Sequence, residues 1–168
     1  MMKYFYLALT LAVLLVYGFV NLGPQQAFTT AVTFNAIGFT ATAGDSMLTL
    51  TPYRDFVAGS TGTSFTVTAK SILRLQGMCL VTANAGAASQ GVVVRLRINP
   101  SGTVTTSSPV LASLGVGTLL TTAAAANSMC LTFREGIDLP STAQLGISEL
   151  GTTTAGNDVT IWGYERVP

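Results

Sequence analysis

The chain has 168 residues and a mass of 17.4 kDa, enough for one domain of ordinary size and a short appendage. Charged residues make up only 9%, against about 25% in an average soluble protein, the formal net charge is +1, and histidine is absent. These numbers exclude a basic footprint for nucleic acid, and with it histidine-based triads, histidine zinc sites and most general acid–base schemes.

The first element in chain order is apolar. Tyr4 to Val20 (YFYLALTLAVLLVYGFV) carries no charge and follows Lys3. That pattern matches the charged and apolar regions of a secretory signal, and it also lies at the lower edge of a membrane span. As a helix it would run about 25 Å, and Leu22 can extend it toward the roughly 30 Å of a bilayer's hydrocarbon core. Cleavage sites are poor: Val16-Tyr17-Gly18 falls inside the apolar run, and Asn21-Leu22-Gly23 has the wrong chemistry. A cleaved signal peptide and a retained signal-anchor therefore both stand as readings, with a buried assembly helix as a third. For a retained helix, the membrane contacts are Tyr4, Leu7, Leu11, Leu14, Leu15 and Phe19. Gly23-Pro24 ends the helix, because proline cannot continue one. The organisation read from the sequence is a hydrophobic segment over 1–23, a linker over 24–30 and a body over 31–168.

The body is rich in Thr, Gly, Ala, Ser and Val and poor in Glu and Lys, a profile that favours strands over helices. Short runs punctuated by Gly, Asn and Pro predict strands at Ala31–Thr42, Met47–Thr51, Ser64–Thr68, Ile72–Thr82, Gly91–Asn99, Val110–Leu114, Asn127–Arg134, Ala143–Glu149 and Asp158–Arg166. Eight or nine strands in this length predict an all-β, jelly-roll-like antiparallel sandwich behind the N-terminal hydrophobic helix. Ile72–Thr82 and Gly91–Asn99 read as a hairpin. Period-two alternation puts Leu75, Gly77, Cys79 and Val81 inward with Val92, Val94, Leu96 and Ile98. The opposite face then carries Arg74, Gln76, Met78, Val93, Arg95 and Arg97. In the last strand Val159 and Ile161 oppose Trp162 and Tyr164, so cover is expected on both faces. Asn99-Pro100-Ser101-Gly102 reads as a turn. Thr118–Asn127, with its alanine run, reads as a loop between sheets.

Cys79 and Cys130 are the two cysteines. Alternation turns Cys79 inward and Cys130 outward, with Thr132 and Arg134. That parity argues against a disulfide unless a bulge intervenes. No spacing among the seven acids singles out a catalytic pair; Glu135 and Asp138 read as residues flanking a turn, and Asn157-Asp158 as an Asx turn. Gly59-Ser60-Thr61-Gly62 lacks the lysine of a phosphate loop. No cofactor, metal or catalytic residue is expected. The candidates for partner or ligand contact are the outward Arg74, Arg95 and Arg97, with Tyr53 and Tyr164 as exposed aromatics. Phe56 belongs with those aromatics.

Gln90–Gly102 (QGVVVRLRINPSG), Thr105–Gly115 (TTSSPVLASLG) and Leu139–Glu165 (LPSTAQLGISELGTTTAGNDVTIWGYE) resemble small β-rich structural proteins of bacteriophages. These are virion-surface and tail-appendage proteins with a jelly-roll-type head. The resemblance covers roughly Ser64 to the C-terminus and implies a homo-oligomer, trimeric or larger, with no enzymatic residues to carry over. The apolar N-terminus departs from that pattern and suits a membrane-containing particle or a cell envelope. The expected function is therefore a non-enzymatic structural protein, membrane-anchored or exported, at a virion surface. Its partners would be copies of itself, a membrane, and other virion or cell-surface proteins or glycans, with no nucleic acid among them. A secreted or envelope-tethered adhesin or carbohydrate-binding module is the alternative. Neither reading is cytoplasmic.

Overall fold

The computed structural model describes residues 29–82, 90–118, 127–152 and 156–167. The hydrophobic segment 1–23, its six membrane-contact candidates and the alanine run lie outside the described residues. Among the described residues no helix is long and apolar enough to cross a membrane.

Eleven strands follow one another: β1 (Thr29–Phe39), β2 (Ser46–Met47), β3 (Thr51–Arg54), β4 (Val57–Ala58), β5 (Phe65–Thr66), β6 (Ile72–Thr82), β7 (Gln90–Asn99), β8 (Val110–Thr118), β9 (Asn127–Leu139), β10 (Gln144–Gly151) and β11 (Asn157–Arg166). They form two antiparallel sheets, ordered β4-β3-β1-β11-β6-β9 and β2-β10-β7-β8, with β5 added on β10. The all-β expectation holds, with shifted boundaries and a small β3–β4 hairpin that the sequence reading missed. The predicted β6–β7 hairpin does not form. β6 lies between β11 and β9, β7 lies between β10 and β8, and the chain changes sheets between Thr82 and Gln90. Alternation reports which face of a strand is buried and is silent on its neighbour. Only a short turn would have forced a hairpin here.

One core joins the sheets. Val32 and Phe34 of β1, Val159 and Ile161 of β11, and Leu73, Leu75, Met78 and Leu80 of β6 meet Val92, Val94 and Leu96 of β7 and Leu145 and Ile147 of β10. Phe34 packs edge-on against Phe65, ring centroids 4.4 Å apart. Each such fully buried side chain contributes about 1.5–3 kcal/mol over its exposed state. The sandwich-like pairing of two half-apolar sheets follows from that need for mutual cover.

Strand β6 breaks its own alternation. Its register against β11 runs Gly163↔Leu75 and then Trp162↔Gly77, leaving Gln76 as an extra, exposed residue. A bulge of one residue swaps the faces beyond it. Leu75 points inward as predicted, with Leu73 beside it, but Met78 and Leu80 replace Gly77, Cys79 and Val81 in the core. Cys79 therefore faces outward, opposite Cys130, with the two Cα atoms 4.1 Å apart, and the pair is a disulfide. The parity argument against the bridge is corrected by this bulge. Gly77 is required at the same place: a Cβ there would lie 2.4 Å from Cζ2 of Trp162, whose indole covers it, and 2.7 Å from the Leu131 carbonyl.

Glu135 and Asp138 do not flank a turn. Both lie within β9, where Gly136 takes a φ of 74° and Asp138 sits opposite Arg74. Asn157 and Asp158 likewise bond across strands: Asn157 Nδ2 donates to the Phe39 carbonyl at 2.9 Å, and Asp158 Oδ1 accepts from the Gly38 N–H at 2.8 Å. The Asn99 turn forms as expected, its Oδ1 accepting from the Ser101 N–H. The last strand also behaves as read. Val159 and Ile161 are buried, Trp162 and Tyr164 are half-buried on the other face, and β11 is held between β1 and β6.

The strand register fixes two ends. Thr29 pairs with Arg166, so both termini of the described chain lie at one end, which we call the lower end. Phe39, Thr82 and Asn157 meet at the other end, where the connections following β1, β6, β8 and β10 begin.

Candidate functional site

The two outer faces differ in how they are covered. On the outer face of the β2-β10-β7-β8 sheet, the chain closes over its own strands. Gly146 of β10 lies under Met47 and Val104, the latter 3% exposed. Ser148 and Arg97 are buried beneath the same cover. Arg97 donates from Nε to Ser148 Oγ at 2.7 Å, from Nη1 to the Ser108 carbonyl, and from Nη2 to Asp45 Oδ2 at 2.6 Å. Arg95 donates to the same carboxylate oxygen at 2.9 Å. Arg97 is thus a buried cation, tolerable in a low-dielectric setting because each of its three nitrogens donates to an acceptor, one of them a carboxylate.

Arg74 sits on the other sheet. Its Nε and Nη2 make a two-pronged bond to Asp138, both contacts at 2.6 Å, and Arg166 reaches the same carboxylate at 3.4 Å. The three arginines that alternation grouped together are therefore split between two sheets, and each has a carboxylate of its own fold. Alternation could not reveal this, because the grouping assumed the hairpin that does not form.

The outer face of the larger sheet is open among the described residues. Its side chains fall in three ranks across the strands. The middle rank is Tyr53, Thr33, Trp162, Gly77 and Thr132. The rank toward the upper end is Thr51, Asn35, Thr160, Cys79 and Cys130. The rank toward the lower end is Ala31, Tyr164, Arg74 and Asp138. Tyr53 and Tyr164, both singled out from the sequence, do share one surface, and Trp162 joins them. Trp162 was legible as the outward partner of Tyr164. Thr33 and Asn35 carried no signal, being two polar residues in a strand full of them.

Between β1 and the β3–β4 hairpin this face holds a shallow recess of about 310 Å³ lined by Ala31, Thr33, Asn35, Tyr53 and Phe56. Asn35 Oδ1 is buried there without a hydrogen-bond partner. An aromatic wall over an amide and a hydroxyl is the surface chemistry of a weak site for a neutral, hydroxyl-rich ligand.

Three further acids serve the fold. Glu165, 5% exposed, accepts from Arg54 Nε at 3.0 Å and from both the N–H and the hydroxyl of Thr68 at 2.9 Å. Glu149, 1% exposed, accepts from the N–H and hydroxyl of Thr42 at 3.0 Å and from the Ser46 hydroxyl. Asp55 caps the start of β1 by accepting from the Ala31 N–H at 2.9 Å. No group of three metal-ligating side chains occurs among the described residues.

Three of these carboxylates make the fold acid-sensitive. Burial works against ionisation of Glu165, but the Arg54 guanidinium and the two Thr68 donors outweigh it and hold its pKa below the ordinary value. Asp45 is lowered likewise: burial opposes, and Ser148, Arg97 and Arg95 prevail. The Arg74 bond lowers Asp138. A carboxyl whose pKa is lower in the folded state stabilises the fold above its unfolded pKa, about 4 to 4.5, and loses that contribution as pH falls through the folded value. Thermal melts are expected to be flat from pH 7 to about 5 and to fall steeply below about 4. Glu165→Gln should shallow that fall. An unchanged acid limb in the variant would remove Glu165 from the account.

No protein-family model matches the chain, and no curated protein matches it either.

Proposed function

We propose that the protein is a non-enzymatic structural component, a jelly-roll-like head that self-assembles and is tethered through residues 1–23, at the surface of a phage virion. The single observation carrying this reading is the unequal treatment of the two outer faces. One is roofed by the protein's own loops; the other presents Tyr53, Trp162 and Tyr164 among threonines, with Arg74 already paired with Asp138. Large aromatic side chains on a neutral sheet face are what a second copy buries when it docks. Strand order supports the head's class. β1-β11-β6-β9 opposite β2-β10-β7-β8 is the arrangement of two interleaved Greek keys, in which a long return connection brings each late strand beside an early one. A net charge of +1 leaves little repulsion between copies.

The test is the oligomeric state of the full chain in mild detergent, by sedimentation. A trimer or larger ring is expected, with Trp162→Ser or Tyr164→Glu shifting it to monomer. A wild-type monomer overturns the assembly. The recess at Asn35, Tyr53 and Phe56 favours one second reading, an envelope-tethered module that binds a neutral glycan. A monomer whose Tyr53→Ala variant loses glycan binding would establish that reading instead.

A further inference from the structure

We propose that the turn between β3 and β4 is a membrane-interface contact, with Phe56 and Val57 entering the lipid surface beside the point where the N-terminal segment joins the head. The inference rests on the reading of residues 1–23 as a retained membrane segment and adds the orientation of the head and the residues that touch lipid.

Phe56 is 94% exposed and Val57 70% exposed. Asp55 and Phe56 have φ values of 46° and 68°, the paired left-handed conformation of a tight hairpin turn. Such a turn prefers Asn or Gly, and a bulky side chain at positive φ is disfavoured. The fold gains almost no burial from Phe56 in return, so a costly residue at this position points to a contact outside the fold. The turn is also firmly held. The Asp55 N–H donates to the Ala31 carbonyl and Asp55 Oδ1 accepts from the Ala31 N–H, each at 2.9 Å.

Ala31 is two residues from Thr29, so the turn stands about 7 Å along β1 from where the described chain begins. Val167, 51% exposed, follows Arg166, the partner of Thr29. Three exposed apolar side chains thus lie at the end of the sandwich to which the apolar segment connects. Residues 21–28 carry no charge and, fully extended, reach at most about 28 Å. The two arginines nearest the turn are already paired, Arg54 with Glu165 and Arg166 with Asp138. The exposed Asp55 stays at the hydrated headgroup level when the side chains beside it enter the lipid surface. An exposed phenylalanine buries its apolar ring at the boundary of headgroups and acyl chains, and the connections at the upper end would face away from the bilayer.

The experiment uses the full chain reconstituted into phosphatidylcholine vesicles with brominated acyl chains. Phe56→Trp is compared with Ile37→Trp, an equally apolar position that is 74% exposed toward the upper end. Trp162, the single native tryptophan, supplies the background to subtract. Bromolipid is expected to quench at least half of the added emission at position 56 and almost none at position 37. If the chain floats with the vesicles but the two positions quench equally little, the contact is overturned and the tether stands. If the chain does not float, the tether reading fails and takes the contact with it. Blue-shifted emission at position 56 that bromolipid leaves unquenched places a second copy on the turn and also overturns the proposal. Both substitutions are at exposed sites, and unchanged melting curves confirm that each variant folds.

Discussion

Replacing Cys79 and Cys130 together by alanine is expected to lower the unfolding free energy by about 4 kcal/mol. The two cysteines are 51 residues apart in sequence, and closing a loop of that size removes about this much conformational entropy from the unfolded chain. The bridge also fastens β9, the edge strand of the larger sheet, to β6, which lies in its interior. The double variant should therefore fray first along β9. Urea denaturation of the wild type with and without reductant, beside the double variant, checks the value. Reduced wild type and variant should unfold at the same, lower urea concentration. A reductant-insensitive wild type would mean the thiols are not joined. Mass spectrometry of the intact protein decides this independently, since reduction of the bridge adds two hydrogens.

Glu149→Ala is the second large effect, with an expected loss of about 2–4 kcal/mol. The side chain is 1% exposed and gathers three donors at the upper end of the sandwich. Removing it leaves the Thr42 N–H and the Ser46 hydroxyl without their acceptor, while the Thr42 hydroxyl keeps the Gly44 carbonyl, and an unsatisfied donor screened from water costs about 1–3 kcal/mol. The segment from Thr42 to Ser46 would lose its anchor, and Asp45, which lies within it, would lose its position against Arg95 and Arg97. Glu149→Gln keeps one acceptor oxygen and should recover part of the loss. Equal losses in both variants would show that the charge matters and the acceptor geometry does not. A neutral Glu149→Ala would show that water replaces the carboxylate, and the segment would then be held by Asp45, the Gly151 N–H bond to the Thr42 carbonyl and the pairing of β2 with β10.

The readings that held and those that failed separate along a physical line. Val92, Val94 and Leu96 were placed in the core correctly, and so were Val159 and Ile161, because an uninterrupted strand keeps its period of two. The β6 reading was right through Leu75 and wrong after Gln76, because nothing in ILRLQGMCLVT marks which residue is the extra one. That single residue decided whether Cys79 could reach Cys130. The arginine cluster failed for a related reason. Arg74, Arg95 and Arg97 do face out of their strands, but the strands belong to different sheets. Of the candidate surface, Tyr53, Trp162 and Tyr164 were legible as outward aromatics. Their alignment in neighbouring ranks arises only when β1 lies between β3 and β11.

By itself, then, the amino-acid sequence determined the local quantities: strand-forming composition, the faces of regular strands, a nearly uncharged surface and an apolar N-terminal run. These depend on residue type and on the fixed geometry of an extended chain, both present before any long-range contact forms. The tertiary structure decided pairing. It set which strands are neighbours, where register slips by one residue, which arginine meets which aspartate, and which sheet face is left open. Those outcomes depend on contacts between residues 50 to 120 positions apart, such as Asp45 with Arg95 or Gly38 with Asp158. Such contacts are chosen by the joint burial of both sheets, which no single strand's pattern contains.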